Sequence, residues 1–204
     1  CQSHSGYLLL CRLLSRAYRE NQRQGRAEIK KPWFSENKSG TAGLIALSGA
    51  SLGDIGLMLM QNNLIQAEML AREWANLFPN RFYIEVQRVG HANAEMLVQR
   101  SLALASMLHL PVVATQSVQF LNPDDYKAHE ARVCIAEGYV LGDRRRPKHC
   151  TEEQYFKTQA EMAELFADIP AALANTMELA KRCNLMLELG VNRLPLFPTP
   201  NNQS

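Results

Sequence analysis

No Cys-x-x-Cys pair occurs in the 204 residues, and the five cysteines (Cys1, Cys11, Cys134, Cys150 and Cys183) are odd in number and widely scattered. That argues against a disulfide framework or a zinc module and favours a reducing, cytosolic compartment. Long apolar runs are missing as well: Tyr7–Cys11 is stopped by Arg12, and Ile55–Met60 is preceded by Asp54. Nothing approaches the roughly 18 apolar residues of a membrane span, so no membrane partner is expected. An excess of one charge is also absent, with 22 Lys and Arg against 20 Asp and Glu, a net +2. That balance does not suit a chain whose main task is coating nucleic acid, although it leaves a nucleic-acid role open. Gly49, Gly53 and Gly56 are not spaced as G-x-G-x-x-G, and no Gly-Lys-Ser/Thr follows, which removes a phosphate-binding loop. Ser48 is flanked at 46 and 50 by alanines where a nucleophile elbow needs glycines. Internal repeats and low-complexity segments are lacking.

What is present is a globular composition, 47% hydrophobic and 21% charged, with enough length for one good core or two small ones. Tyr7, Leu10, Cys11, Leu14 and Tyr18 follow helical spacing and predict a helix from about Ser5 with those residues on its packed side. A polar, basic stretch runs from Arg19 to Lys31, Pro32-Trp33-Phe34 re-enters the fold, and 37–41 reads as a turn. Short apolar runs at Gly43–Leu47, Phe82–Val86 and Pro111–Thr115 predict three strands. Between them, helices are expected over about Leu52–Gln61, Leu64–Leu77 and, capped by Asn93, to about His109, with Leu97, Ser101, Leu104, Ala105 and Leu108 inward. Helices are further expected from Pro123-Asp124-Asp125 to Glu137, and over Glu152–Phe156, Ala160–Phe166 and Ala171–Cys183. Met58, Met60, Met69 and Met96 read as core filling.

Strands joined by helical crossovers pair in parallel, and near-continuous apolar strands suit burial on both faces. Three strands are few for such a sheet. The chain opens at Cys1 without an initiating Met and closes on the proline-rich run Leu194–Pro200. It is therefore expected to be a piece of something longer, with further strands upstream and an extended linker over 194–204. A leading edge left unpaired predicts that the piece alone aggregates or is partly molten.

In parallel α/β folds chemistry gathers at the carboxyl ends of the strands. After the first strand come Ser48, Gly49, Ala50 and Ser51; after the second Gln87, Arg88, Val89, Gly90 and His91; after the third Gln116, Ser117, Val118 and Gln119. Of these only His91 is a metal ligand by type, and one imidazole does not hold a metal, so it reads as an exposed loop histidine. Glu85 is either a general base or a carboxylate satisfied by Arg88 or a backbone amide. The basic run Arg144–His149 either meets phosphate or forms a solvated turn. His4, His109 and His129 are isolated and read as satisfied in place.

Taken in order, Ser5-Gly6-Tyr7, Leu47-Ser48-Gly49-Ala50, Phe82-Tyr83-Ile84-Glu85-Val86-Gln87-Arg88 and Leu110-Pro111-Val112-Val113-Ala114-Thr115 resemble the N-terminal PHP domain of the bacterial DNA polymerase III alpha subunit. Ala128-His129-Glu130, Cys134–Gly138, Glu161–Phe166, Asp168–Ala172, Asn175-Thr176 and Ala180–Cys183 are similar to the helices that close that domain. Leu194-Pro195 and Phe197–Pro200 resemble its passage into the polymerase palm. The resemblance implies an α/β fold, a partial PHP-type (β/α) distorted barrel with parallel strands and C-terminal helices. It implies a PHP domain over 1–193, lacking its first strands, and a linker over 194–204.

Members of that family with a working metal cluster carry a cysteine after Leu-Ser-Gly, and an Asp and a His just past the Ala-Thr strand. The corresponding residues are Ala50, Ser117 and Gln119. A methyl, a hydroxyl and an amide cannot replace a thiolate, a carboxylate and an imidazole as metal ligands. The resemblance therefore implies a degenerate site with no catalytic, cofactor-binding or metal-binding residues in this chain. It further implies a role as scaffold for the proofreading exonuclease subunit and other replicase subunits. DNA and Mg would be engaged by the parent chain, on palm carboxylates outside this one. Two alternatives stand beside it: an active PHP-type phosphoesterase or exonuclease using His91 and Glu85, and a free-standing interaction module.

Overall fold

The computed structural model describes residues 1–36, 40–143 and 145–192. The expected linker over 194–204 lies outside the described residues, as do Arg144 and most of the turn expected over 37–41. The chain opens with helix α1 (His4–Glu20), started by the Ser3 hydroxyl, which accepts from the Gly6 amide at 3.3 Å. Its buried face is Gly6, Leu9, Leu13 and Ala17, while Leu14 and Tyr18 are exposed. The expected stripe is thus displaced by one position. Leucines at 8, 9, 10, 13 and 14 leave the apolar face ambiguous in sequence, and Gly6 decides it: a Cβ there would run into the Gly43 carbonyl. Only with glycine can this side of α1 lie against that loop.

The basic stretch is a small hairpin, β1 (Gln22–Arg23) and β2 (Arg26–Ala27), turned by Gln24 and Gly25 at positive φ. A short helix α2 (Pro32–Ser35) buries Trp33. Then β3 (Ala46–Leu47) passes through a 3-10 turn (Ala50–Leu52) into α3 (Asp54–Met60) and α4 (Leu64–Leu77). After β4 (Phe82–Val86) come α5 (Ala94–Leu108) and β5 (Val112–Ala114). A second 3-10 turn (Pro123–Asp125) leads into α6 (Tyr126–Glu137), and α7 (Gln159–Leu165) and α8 (Pro170–Arg182) follow. Asn93 precedes α5 without a side-chain capping bond, which corrects its expected role.

The sheet has the order β3-β4-β5, all parallel, with Ala46 opposite Phe82 and Ile84 opposite Val112. This is the expected mixed helix and sheet architecture of a partial (β/α) fold. Among the described residues no strand lies beyond β3. The far edge at β5 is closed by side chains instead: Asn175 Nδ2 donates to the Val112 carbonyl (2.7 Å) and Thr176 Oγ1 to the Ala114 carbonyl (2.8 Å). Helix α8 thereby satisfies outward carbonyls that a further strand would otherwise take.

One core unites α1, α3, α4 and the sheet through Leu13, Ile55, Leu59, Ala71, Phe82 and Ile84. Beside it Phe34, Trp74 and Phe78 meet in tilted and edge-on ring contacts 5.4–6.1 Å apart. A second core packs Val86, Val98 and Ala114 against Phe166 and Ala172. Met58 and Met60 pack at the first core, whereas Met69 is exposed on α4, a correction to its expected core role.

Residues Glu152–Phe156, expected as helix, form a turn and a parallel bridge between Phe120 and Tyr155. A five-residue run offers few helical hydrogen bonds against the cost of nucleation, so its tertiary partners decide its conformation, as they do for the four-residue α2. Here Gln154 also supplies competing bonds: buried, it donates from Nε2 to the Ser117 carbonyl (3.0 Å), and its own carbonyl accepts from the Gln119 amide (2.8 Å).

The start of α7 is a reciprocal cap, in which the Glu161 amide donates to Thr158 Oγ1 and the Glu161 carboxylate accepts from the Thr158 amide and hydroxyl. Tyr155 Oη donates to the same carboxylate at 2.7 Å. The Tyr155 bond first, then those from Thr158, lower the Glu161 pKa from 4.5 to about 2. A lowered folded-state pKa means that the stabilisation is complete above the ordinary carboxylate range and is lost as pH falls through the folded value. In an NMR titration the Thr158 amide should therefore hold its shift through that range and move only as pH approaches about 2. A midpoint at the ordinary value would refute the cap, and Glu161→Gln should abolish the transition.

Candidate functional site

Helical crossovers bring the carboxyl ends of β3, β4 and β5 to one edge of the sheet, and a polar network sits there. Glu85 points from β4 into it. Its Oε2 accepts from the Gly49 amide at 3.1 Å, and its Oε1 from Gln87 Nε2 at 3.1 Å and from Thr115 Oγ1 at 2.5 Å. Gln87 Nε2 also donates to Thr115 Oγ1 at 2.9 Å, and the Glu85 amide donates to Ser48 Oγ at 2.9 Å. Each of the three strand ends thus contributes to holding one carboxylate. Glu85 is thus a carboxylate with its hydrogen-bond partners in place. Its partners are a backbone amide, as expected, and two neutral side chains in place of Arg88. Ser48, already used as an acceptor here, is a structural hydroxyl.

Glu85 and Gln87 share one face because strand side chains alternate, a relation visible in sequence. Thr115 and Gly49 join them only through the parallel register. Ala50 is buried at φ +44° as the first residue of the 3-10 turn, a left-handed conformation that costs a non-glycine residue roughly 1–2 kcal/mol. It lines a cavity of about 410 Å³ together with Leu52, Leu57, Glu85, Gln87 and His91. The cavity wall is mostly apolar, supplied by α3 and α5. His91 is exposed at its rim. Ser117 and Gln119 lie beyond β5, outside that lining, and engage the Gln154 segment through their backbones. Among the described residues no three His, Cys, Asp or Glu side chains converge as a cation site.

Arg88, one residue past Gln87, turns away from this network. Its Nε and Nη2 donate to Glu95 (2.9 and 3.1 Å), Nη1 and Nη2 to Asp168 (2.6 and 2.8 Å), and Nη1 to the Leu165 carbonyl (2.6 Å). Its guanidinium also lies 5.2 Å from the centre of the fully buried Phe166 ring. Five donors meet five acceptors, the whole capacity of the group. Bonds from Arg88 hold the Glu95 and Asp168 carboxyls below their usual range, with Gln99 helping Glu95. Sequence reasoning passed over this junction, because 80 residues separate Arg88 from Asp168.

The basic run resolves largely into internal pairs: Arg145 bonds Asp143 (2.9 Å), Arg146 pairs with buried Glu130, and His149 lies 3.3 Å from Glu137. His129 is satisfied in place, with Nδ1 3.3 Å from Arg132 and Nε2 3.4 Å from the Cys150 thiol. Burial first, then Glu130, pushes the Cys150 thiol pKa upward, so it is not an activated nucleophile.

A three-stranded parallel sheet with helical crossovers, and strand ends knitted by a polar network, define a partial (β/α) domain. A family model described as PHP domain matches residues 1–89. Over 196 residues the chain is 50% identical to the DNA polymerase III subunit alpha of Pseudomonas aeruginosa, covering 96% of this chain and 16% of that relative. It is 47% identical over 205 residues to that of Neisseria meningitidis serogroup B, covering 100% and 18%, and 40% over 197 residues to that of Escherichia coli K12, covering 97% and 17%. The chain belongs to the PHP family in the form found in bacterial DNA polymerase III alpha subunits. It spans about a sixth of the length of the curated relatives it matches.

Proposed function

We propose that this chain is the PHP portion of a cytoplasmic replicative DNA polymerase alpha subunit, and that it is a metal-free scaffold docking the proofreading exonuclease subunit. The parent would extend primers by nucleotidyl transfer, with Mg held by carboxylates outside this chain. The observation that carries the scaffold reading is the state of Glu85: both carboxylate oxygens are engaged by donors from Gly49, Gln87 and Thr115. A metal at Oε1 would have to displace Gln87 or Thr115, and one at Oε2 would share that oxygen with the Gly49 amide, while Ala50, Ser117 and Gln119 offer it no anionic or imidazole ligand in support. A rigid body fixed beside a polymerase would hold a tethered exonuclease at high effective concentration.

The intact subunit should contain far less than stoichiometric zinc or manganese by mass spectrometry. It should show no phosphoesterase activity that responds to chelation, and should retain the exonuclease on size-exclusion chromatography. The cavity lined by both His91 and Glu85 is the feature that favours an active phosphoesterase instead. Stoichiometric zinc or manganese, with hydrolysis lost in both His91→Ala and Glu85→Gln, would establish that reading and overturn ours.

A further inference from the structure

Charge is distributed unevenly along the chain. Residues 12–31 hold seven basic and two acidic side chains, a surplus of five, whereas the whole chain nets only +2. Outside this segment the protein is therefore net acidic. Arg12, Arg16 and Arg19 follow one another at i, i+4 and i+7, a single face of α1, and the hairpin that follows the helix carries Arg23 and Arg26.

Among the described residues much of this charge has no counter-ion. Arg16 is held by Glu20 and Glu36, and Lys31 by Asp54 and Glu73. Arg26 faces Glu28 only at 3.6 Å, with its side chain 85% exposed. Among the described residues Arg12, Arg19 and Arg23 form no ion pair, and all three are exposed. The hairpin register moreover sets Arg23 directly opposite Arg26. Like charges facing each other across a ladder are destabilising, and an anion bridging them would remove that cost.

The base of the hairpin is tied to the body of the protein. Asn21 Nδ2 donates to the Glu28 carbonyl (2.9 Å) and the Glu28 amide to the Asn21 carbonyl (3.2 Å), while Ala27 and Ile29 pack on the core. A group of fork-shaped cations, mostly outside internal pairs, suits a repeating array of phosphates.

We propose that the α1 face and hairpin, through Arg12, Arg19, Arg23 and Arg26, form a contact surface for the phosphate backbone of nucleic acid. The proposal rests on the reading above that the parent polypeptide handles DNA. Contacts of this kind position a duplex without reading its sequence.

The test uses the intact subunit and a fluorescein-labelled primer–template, with affinity measured across a salt series. Arg23→Glu/Arg26→Glu should reduce the slope of log K against log salt by about 2 and weaken binding at least tenfold at low salt. Arg12→Glu/Arg19→Glu should act similarly. Lys127→Glu/Lys148→Glu, which makes the same change in net charge at two exposed sites elsewhere, should leave the slope unchanged. An unaltered slope in both arginine pairs, with normal primer extension, overturns this surface and leaves the polymerase reading intact. Equal losses in the lysine pair would reduce the effect to overall charge and overturn it too. Loss of binding to polyglutamate with DNA binding unchanged would assign the surface to an acidic protein instead. An unmodified subunit that neither binds nor extends the primer–template overturns the polymerase reading itself.

Discussion

Replacing Gly56 by alanine is expected to destabilise the domain by about 3 kcal/mol, although alanine in a helix interior ordinarily gains about 1 kcal/mol over glycine. Gly56 is buried in the first turn of α3, and a Cβ there would overlap the Ala50 carbonyl oxygen. That obstacle is backbone and cannot rotate away. The loop that carries it is closed on itself, since the amides of Leu52 and Gly53 both donate to the Gly49 carbonyl at 3.0 Å. Gly53 is under the same constraint, because its Cβ would meet the Ser48 carbonyl. Relief would require α3 to move, and with it the wall of the strand-end cavity. Hydrogen exchange on α3 and α4 measures the effect. Gly138→Ala is the control, because its Cβ would meet nothing and only its positive φ is at stake, a cost of roughly 1 kcal/mol. If Gly56→Ala proved neutral or stabilising, the close approach of α3 to the loop would be wrong.

Arg88→Ala is expected to cost about 3 kcal/mol, through lost charge-assisted bonds and lost packing on Phe166. Glu95 and Asp168 are more than half exposed and recover water, which keeps the loss below that of a fully buried pair. The effect should be localised. Amides of α7 and α8 should lose protection by about a hundredfold, while those of α1 and α3 change little. Arg88→Lys keeps the charge but cannot form two forks at once, so it should recover only part of the loss. Unchanged protection of α7 and α8 in the alanine variant would show that the junction contributes nothing to docking the C-terminal helices.

Where the pattern is local, the sequence anticipated the structure closely. Phe82–Val86 is a strand over its expected residues because its aromatic and β-branched side chains suit a buried pleat. Helices α4 and α5 end within a residue or two of their expected limits. The errors arise where local signals are balanced or too short. Leucine-rich α1 could have turned either of two apolar faces inward, and the five residues from Glu152 were too few to specify a helix.

At the candidate site, composition alone established that Ala50, Ser117 and Gln119 are not strong metal ligands, since that follows from side-chain chemistry and needs no coordinates. It could not establish that Glu85 is held by Gly49 and Thr115, 36 and 30 residues away, or that Arg88 is committed to Asp168 and not to Glu85. From spacing alone Gly49, Gly53 and Gly56 show only that a phosphate loop is lacking. The sequence by itself determined the chemistry available and the periodicity of each element. Only the tertiary structure decided which glycines are obligatory and which partner each charged group takes. Those outcomes depend on distances between segments far apart in the chain, and parallel pairing through helical crossovers sets such distances collectively.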